Sequence, residues 1–187
     1  MLDSTADPAL RHGMVQDIED IDAVINQFLD FARITSEDAA VTEINLNELI
    51  HSVVERYHRE NKPVTTRLAE VPHLRMKALA VRRLITNLID NALRHGGGEV
   101  EVETAVDSGY VRLSVLDRGP GIPVAESERM LQPFTRLDAA RSTSGSGLGL
   151  AIVDRIARMH GGRVQLLERA GGGLEARVEF PLAAERG

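Results

Sequence analysis

Apolar residues recur at helical spacing in four stretches of the chain. In the stretch 9–33 they are separated alternately by four and three residues, the heptad pattern of a helix that packs against another helix. This stripe consists of Met14, Ile18, Ile21, Ile25, Phe28 and Ala32. The same periodicity predicts helices at about 47–59, 78–95 and 148–160, and a shorter helix is predicted near 125–131.

Strands are predicted where apolar and polar residues alternate or where short apolar runs lie between turn residues. The clearest alternation is at 99–106, where valines, a threonine and glutamates take turns along the chain. The other predicted strands are 64–68, 74–76, 110–116, 163–168 and 175–180. Helices and strands in this order predict an α+β domain with a mixed sheet and helices on one face. Residues 34–44 are interpreted as a polar linker between a first region, 1–33, and a domain at 45–187.

Composition narrows the class of protein. The 187 residues are 43% hydrophobic but only 3% aromatic, which predicts an aliphatic core. A net charge of −6 argues against a nucleic-acid-binding protein. The absence of cysteine excludes disulfides, a thiol nucleophile and zinc–thiolate sites. The sequence has no apolar run of about 18 residues and no visible signal peptide, so we expect the chain as given to be soluble.

Two asparagines lie four residues apart in the predicted helix 78–95, which a run of three glycines ends. Asn87 and Asn91 therefore share one face of that helix. Because an asparagine side chain competes for backbone hydrogen bonds, two of them on one face indicate that their amides are used. An amide oxygen suits Mg²⁺, so Asn91 is a candidate metal ligand. The alternative is that both side chains are solvated surface residues.

The segment 117–149 is too long for an ordinary connection, and a loop of this length is usually functional or disordered. It begins with Asp117-Arg118-Gly119-Pro120-Gly121-Ile122, directly after a predicted strand. A buried carboxylate at a strand end needs a hydrogen-bond donor, and the exocyclic amine of adenine is one. Guanine presents a carbonyl at the same place, so this site favours ATP over GTP. The alternative interpretation is a plain turn.

The same segment ends in closely spaced glycines at the start of a predicted helix. Gly145, Gly147 and Gly149 allow backbone N–H groups to approach an anion, and the positive end of the helix adds to this attraction. The pattern is neither a Walker motif nor a Rossmann fingerprint. Arg136 and Arg141 are candidate clamps on terminal phosphate oxygens. Turn glycines and solvated surface arginines are the alternatives.

Four segments together resemble a known family. They are Asn87-x-x-x-Asn91, the Asp-x-Gly-x-Gly of 117–121, Pro133-Phe134, and the Gly-x-Gly-Leu-Gly-Leu of 145–150. In order and spacing they resemble the N, G1, F and G2 boxes of histidine-kinase catalytic domains in the GHKL superfamily, over about 45–182. Residues 17–33 are similar to the second dimerisation helix of EnvZ-like osmosensor kinases. The resemblance implies a Bergerat-type α/β sandwich, in which a mixed sheet packs on three helices, preceded by one long dimerisation helix.

The resemblance also implies ATP and Mg²⁺ as cofactors and a role for each matching residue. Asn91 is expected to hold Mg²⁺, while Asn87 supports the triphosphate and, with Arg136, takes part in catalysis. Asp117 is expected to bind the adenine amine, with residues 134–147 forming a lid over the nucleotide. The residues implied around the nucleotide are Asn87, Asn91, Arg94, His95, Asp117, Gly119, Gly121, Ile122, Phe134, Arg136, Arg141, Gly145, Ser146, Gly147, Leu148 and Gly149.

One position separates kinases from ATPases within this superfamily. Gyrase-B-like, MutL-like and heat-shock chaperone ATPases carry a glutamate four residues before the metal-binding asparagine, and it activates water. Here that position is Asn87, whose amide cannot accept a proton, so transfer to a histidine is favoured over hydrolysis. A non-catalytic nucleotide-binding regulatory module is the alternative. A serine kinase of the anti-sigma-factor type is disfavoured by the heptad helix and the Pro-Phe segment.

The family's acceptor histidine is followed directly by Glu or Asp, and none of the six histidines here fits that pattern. We therefore expect a truncated chain that lacks the acceptor, the upstream sensor and the membrane segments. The expected partners are a second copy, through the helix at 9–33, and an OmpR-like response-regulator receiver domain. No nucleic acid is expected, and contact with a membrane is expected only through upstream segments. The expected location is cytoplasmic, as part of an inner-membrane sensor kinase.

Overall fold

The structure is a computed structural model that describes residues 40–137 and 146–182. The helices and strands in chain order are β1 (Thr42–Ile44), α1 (Leu46–Arg59), β2 (Val64–Leu68), β3 (Leu74–Met76), α2 (Ala78–His95), β4 (Val100–Asp107), β5 (Tyr110–Leu116), α3 (Ser127–Met130), α4 (Gly149–Met159), β6 (Arg163–Glu168) and β7 (Leu174–Pro181). A 3-10 turn at Val124–Glu126 precedes α3.

The main sheet has five strands in the order β2-β4-β5-β7-β6. Strands β2 and β4 are parallel, whereas the other neighbouring pairs are antiparallel. In β4, Val100 and Val102 are buried beneath the helices, while Glu101 and Glu103 alternate with them and pair with Arg67 on the opposite face. This alternation places a hydrophobic face under the helices and a charged face away from them. The predicted α+β class with a mixed sheet is confirmed.

The core lies between the sheet and helices α1, α2 and α4. Helix α2 buries an apolar face along its whole length, made of Val81, Leu84, Ile85, Leu88, Ile89 and Ala92. Helix α4 buries Leu150, Ile152, Val153 and Ile156. Helix α1 is capped by Asn45, whose side chain accepts from the N–H groups of residues 47 and 48. The buried hydrophobic residues are almost all aliphatic, as the composition predicts.

The periodicity located the helices and the main strands within one or two residues, except near 125–131, where a 3-10 turn and one helical turn replace a single helix. One element differs more. Residues 42–44, which were assigned to the linker, form β1 and pair antiparallel with β3 in a separate two-stranded sheet. A three-residue strand is too short for alternation to be visible in the sequence. The predicted helix at 9–33 and linker residues 34–39 lie outside the described residues.

The helices within 40–137 and 146–182 include none that is long and apolar enough to cross a membrane.

A buried tyrosine joins α1 to the helix that carries the two asparagines. The Tyr57 hydroxyl donates to Asp90 Oδ1 at 2.7 Å and accepts from the Arg56 guanidinium at 2.9 Å. Burial of the phenol raises the pKa of Tyr57, and the hydrogen bond and negative charge of Asp90 raise it further. This contact holds the side of α2 that carries Asp90 against α1.

Tyr57→Phe is expected to lower the free energy of unfolding by about 1–2 kcal/mol, because it removes a hydrogen bond to a charged group. Urea denaturation of both proteins measures the difference. The matched control is Tyr110→Phe, since Tyr110 is half-buried on β5 and its ring lies under the Arg163 guanidinium. The control is expected to change the free energy by no more than about 0.5 kcal/mol. Equal losses in the two variants would contradict a specific role for the Tyr57–Asp90 bond.

Candidate functional site

Asp117 follows the last residue of β5 and is only 3% exposed. It is the one charged residue among the described residues that is buried to this degree. Its Oδ1 accepts from the N–H groups of Gly119 at 2.8 Å and Leu174 at 3.2 Å. Its Oδ2 accepts no hydrogen bond from the described residues. Every fully buried side-chain oxygen or nitrogen atom of the described residues has a hydrogen-bond partner. One carboxylate oxygen is therefore fixed by the backbone, and the other accepts no hydrogen bond from the described residues.

The end of α2 lies directly against this carboxylate. The N–H of Arg118 donates to the carbonyl of Gly96 at 3.2 Å, which ties the strand end to the helix end. A Cβ on Gly119 would collide with the His95 carbonyl oxygen and would lie 2.9 Å from Gly96 Cα. Glycine at 119 therefore permits an approach of the two backbones that a side chain would prevent. The predicted Asp117 and His95 are neighbours as a result.

The electrostatics of His95 reflect this cluster of predicted residues. Partial desolvation lowers the pKa of the His95 imidazole most, and the positive charge of Arg94 lowers it further. The negative charge of Asp117 opposes this shift, while Arg136 adds to it. These interactions place Arg94, His95, Asp117 and Arg136 in one region, although up to 42 residues separate them in the chain. The neutral form of His95 is favoured among the arginines.

The two asparagines of α2 differ in their surroundings. The Asn87 Nδ2 donates to the Arg83 carbonyl of its own helix at 2.9 Å. Its Oδ1 faces the first residue of α4, since a Cβ on Gly149 would lie 3.4 Å from that oxygen. Asn91 is half-buried, and its amide makes no hydrogen bond within the described residues. Asn87 thus lies where α2 meets the N-terminus of α4, and Asn91 lies one turn nearer to Asp117.

The Pro-Phe segment and the glycine segment meet each other before α4. The N–H of Phe134 donates to the carbonyl of Gly147 at 3.0 Å. Phe134 has a φ of 62° and an exposed fraction of 63%, an uncommon backbone conformation for a residue with a side chain. Ser146 Oγ accepts from the N–H of Leu148, which is fully buried. The contact closes the two ends of the segment 134–147 against each other.

The structure brings most of the predicted residues to one end of the α2–α4 pair. Gly121 lies near the turn before β7, where its Cβ would be 3.2 Å from the Gly173 carbonyl oxygen, and Ile122 packs against the core. Arg141 and Gly145 lie outside the described residues, as does most of the predicted lid. The binding roles of these residues stay predictions.

The sequence did not indicate that the turn between β6 and β7 supports Asp117. Leu174 donates to the Asp117 side chain and accepts from its N–H, and Arg169 donates to its carbonyl at 3.3 Å. Arg118 in turn donates to the carbonyls of Ala170 and Gly172. From the sequence, the three glycines at 171–173 predict only a hairpin turn between the last two strands. A two-residue turn already suffices for a hairpin, so the third glycine was the one sign in the sequence that this turn has a further role.

The described ranges 40–137 and 146–182 contain no cluster of three or more His, Asp or Glu residues that would hold a metal ion. These ranges therefore hold no metal site that is built from carboxylates and imidazoles alone. A magnesium ion bound with a nucleotide uses few protein ligands, because phosphate oxygens and water complete its shell. The amide of Asn91 fits such a site.

Comparisons with known proteins agree with the geometry. The family described as "Histidine kinase-, DNA gyrase B-, and HSP90-like ATPase" matches residues 76–184. The sensor histidine kinase component HK1 of Mycobacterium tuberculosis is 36% identical over 141 residues, which cover 73% of this chain and 81% of the relative. The chain spans only 46%, 35% and 40% of the length of three other curated sensor kinases that it matches.

Solved structures show the same fold. The full-length ShkA structure in complex with AMPPNP has a TM-score of 0.75 and 27% identity, covering 95% of this chain and 39% of that chain. The NMR structure of the histidine kinase domain of the Escherichia coli osmosensor EnvZ has a TM-score of 0.62 and 32% identity, covering 82% and 96%. The chain belongs to the histidine kinase-, DNA gyrase B- and HSP90-like ATPase family and carries an ATP-binding catalytic domain of the histidine-kinase type.

Proposed function

We propose that this chain is the catalytic part of a sensor protein-histidine kinase, which transfers the γ-phosphate of ATP to a histidine on a helical dimerisation domain. The observation that carries the proposal is the buried Asp117, which follows β5 and lies against the end of α2. Its Oδ1 is fixed by two backbone N–H groups, and its Oδ2 accepts no hydrogen bond from the described residues. A carboxylate oxygen in this position is suited to accept from the exocyclic amine of adenine. Guanine has no donor at that place, so the site favours ATP.

The residues around Asp117 fit the rest of a nucleotide. Arg94, His95 and Arg136 supply positive or polarisable groups near the end of α2. The N-terminus of the 11-residue helix α4, with Asn87 beside it, favours phosphate oxygens. Asn91 would hold Mg²⁺ together with those oxygens. When bound, Mg²⁺ supplies charge neutralisation on the phosphates.

The described residues favour transfer over hydrolysis. Asn87 stands where the hydrolytic relatives have a general base, and its Nδ2 is bound to Arg83. Asp90 is the one carboxylate on α2, and it accepts from the Tyr57 hydroxyl instead. No carboxylate on this face of α2 is therefore in place to remove a proton from water. The acceptor is then a nucleophile that another domain supplies.

The proposal extends to the partners of the whole protein. The apolar stripe at 9–33 suits self-association into a homodimer, and an OmpR-like receiver domain is the proposed recipient of the phosphoryl group. The names of the relatives, which include several sensor kinases, support this. We place the domain in the cytoplasm, as part of an inner-membrane sensor kinase.

A transfer experiment tests the proposal. The chain is incubated with Mg²⁺ and ATP labelled at the γ-phosphate, together with helical domains whose histidine is followed by Glu or Asp. Label on the helical domain that is lost in acid and kept in alkali is expected, as for a phosphorylated histidine. The matched control is the same domain with that histidine replaced by glutamine. ATP binding without transfer to any such domain would instead favour a non-catalytic regulatory module.

A further inference from the structure

Helix α2, which carries both asparagines, has no cap from its own sequence. Lys77 is the N-cap residue and makes no capping bond with its side chain. In a capping box, a Glu or Gln three residues later accepts the N-cap N–H, but that position here is Ala80. The Lys77 N–H instead donates to Nε2 of His160 at 3.0 Å, and His160 lies 83 positions further along the chain.

The position of His160 is fixed by the end of α4. His160 is the C-cap residue, and it is followed by two hydrogen bonds of the Schellman type. Gly161 donates to the Arg158 carbonyl at 3.0 Å, and Gly162 donates to the Ala157 carbonyl at 2.8 Å. The ring also meets Phe180 of β7 edge-on, with 6.2 Å between the ring centroids. The imidazole is thus held by its own helix end and by the sheet.

The two contacts of the ring define its protonation. His160 Nδ1 lies 2.8 Å from the Ile156 carbonyl oxygen, which only accepts. Nε2 faces the Lys77 N–H, which only donates. The proton therefore lies on Nδ1 and the ring is neutral, because a protonated ring has no acceptor for Lys77.

These contacts join the C-terminus of α4 to the N-terminus of α2. At the other end of α4, Gly149 lies against Asn87 in the middle of α2. The two helices therefore run antiparallel, and both ends of the shorter helix α4 lie against α2. The His160 bond fixes how far α4 is displaced along α2, which determines where the N-terminus of α4 lies relative to Asn87 and Asn91. The far end of the pair thus affects the candidate phosphate site.

We propose that His160 is a positioning residue for nucleotide binding, whose neutral ring holds α2 and α4 in the register that the phosphate site requires. The inference rests on the proposed function, because ATP is taken as the ligand. His160 itself lies at the C-terminal end of α4, away from the candidate phosphate site, and contacts none of the predicted site residues that the structure describes. Its effect is on geometry and not on the reacting groups.

The contacts of the His160 ring make its effect on the helix register dependent on pH. Burial lowers the pKa of His160, the hydrogen bond to the Ile156 carbonyl opposes the shift, and the charge of Lys77 lowers the pKa further. Phe180, which faces the ring from β7, carries no charge. The unfolded chain therefore binds a proton first, at about pH 6.5, so the stabilisation is present above that pH. It is lost as the pH falls through the lower pKa of the folded protein.

The test compares ATP binding by His160→Phe and His160→Gln with binding by the wild type. Calorimetric titrations are made at pH 8 and pH 5.5, at a temperature where each protein is folded. His160→Phe is expected to bind ATP about tenfold more weakly at pH 8, the order of one lost backbone hydrogen bond. His160→Gln keeps an amide oxygen as acceptor, so it should lie near the wild type at pH 8 and weaken less at pH 5.5. The matched control is His73→Gln, since His73 is exposed beside β3.

The pH response of His95 is common to all variants, so differences between them report on His160. A purely structural residue would lower the unfolding free energy of His160→Phe without changing the ATP affinity of the folded protein, and that result would overturn the inference. A nitrogen-15 NMR spectrum at pH 8 that shows the proton on Nε2 would also overturn it. If the wild type binds no ATP under any condition, the proposed function fails as well, whereas wild-type binding with unchanged variants rejects the positioning role alone.

Discussion

Asp117→Asn is expected to weaken ATP binding by about 10–100-fold, the range that corresponds to losing one hydrogen bond to a charged group. An amide oxygen can still accept from Gly119 and Leu174, as the Asp117 Oδ1 does in the native chain. The amide NH₂ then replaces Oδ2, where it is a second donor facing the amine of adenine. The fold should survive, because the fixed side of the carboxylate is preserved.

Calorimetric titration with ATP measures this loss, with GTP as the specificity control. Asp107→Asn is the matched variant, since Asp107 ends the neighbouring strand, is exposed and accepts only from Ser108 in the described residues. Unchanged affinity in Asp107→Asn together with the loss in Asp117→Asn assigns the effect to the site. An Asp117→Asn protein that binds ATP like the wild type would remove Asp117 from the site.

Asn91→Ala is expected to weaken ATP binding about 10–100-fold when Mg²⁺ is present, which is the usual cost of disturbing a metal site. In metal-free solution the change should be less than about threefold, because the amide contacts the nucleotide only through the ion. The rate of phosphate transfer to the helical domain should fall by at least the same factor as the ATP affinity measured with Mg²⁺.

The measurement is a pair of titrations, one with excess Mg²⁺ and one with a chelator. Arg82→Ala provides the comparison, since Arg82 is an exposed residue on the same helix. Equal losses with and without metal would show that Asn91 acts on the nucleotide or on the fold instead of on the ion. Thermal unfolding of the variant separates the last two cases.

The elements of this fold were largely visible in the sequence. Helix α2 and strand β5 were predicted with the bounds that the structure has, because a long apolar face on a helix and apolar residues at alternate positions of a strand give a strong periodic signal. The residue types of the candidate site were also visible, since asparagine pairs within a helix and glycines beside an aspartate are locally unusual. Strand β1 was missed because three residues carry no periodicity.

The contacts that join these elements could not be predicted from the sequence. The side chain of Asp117 is fixed by the N–H of Leu174, 57 residues later, and α2 is capped by His160, 83 residues later. In each of these bonds one partner is a backbone group, which every residue except proline carries, so residue type gives no sign of the pairing. By itself the sequence determined the helices, the main strands and the candidate chemistry. Only the tertiary structure decided which backbone groups hold Asp117 in place and how α4 lies along α2, because both depend on long-range contacts that residue type does not encode.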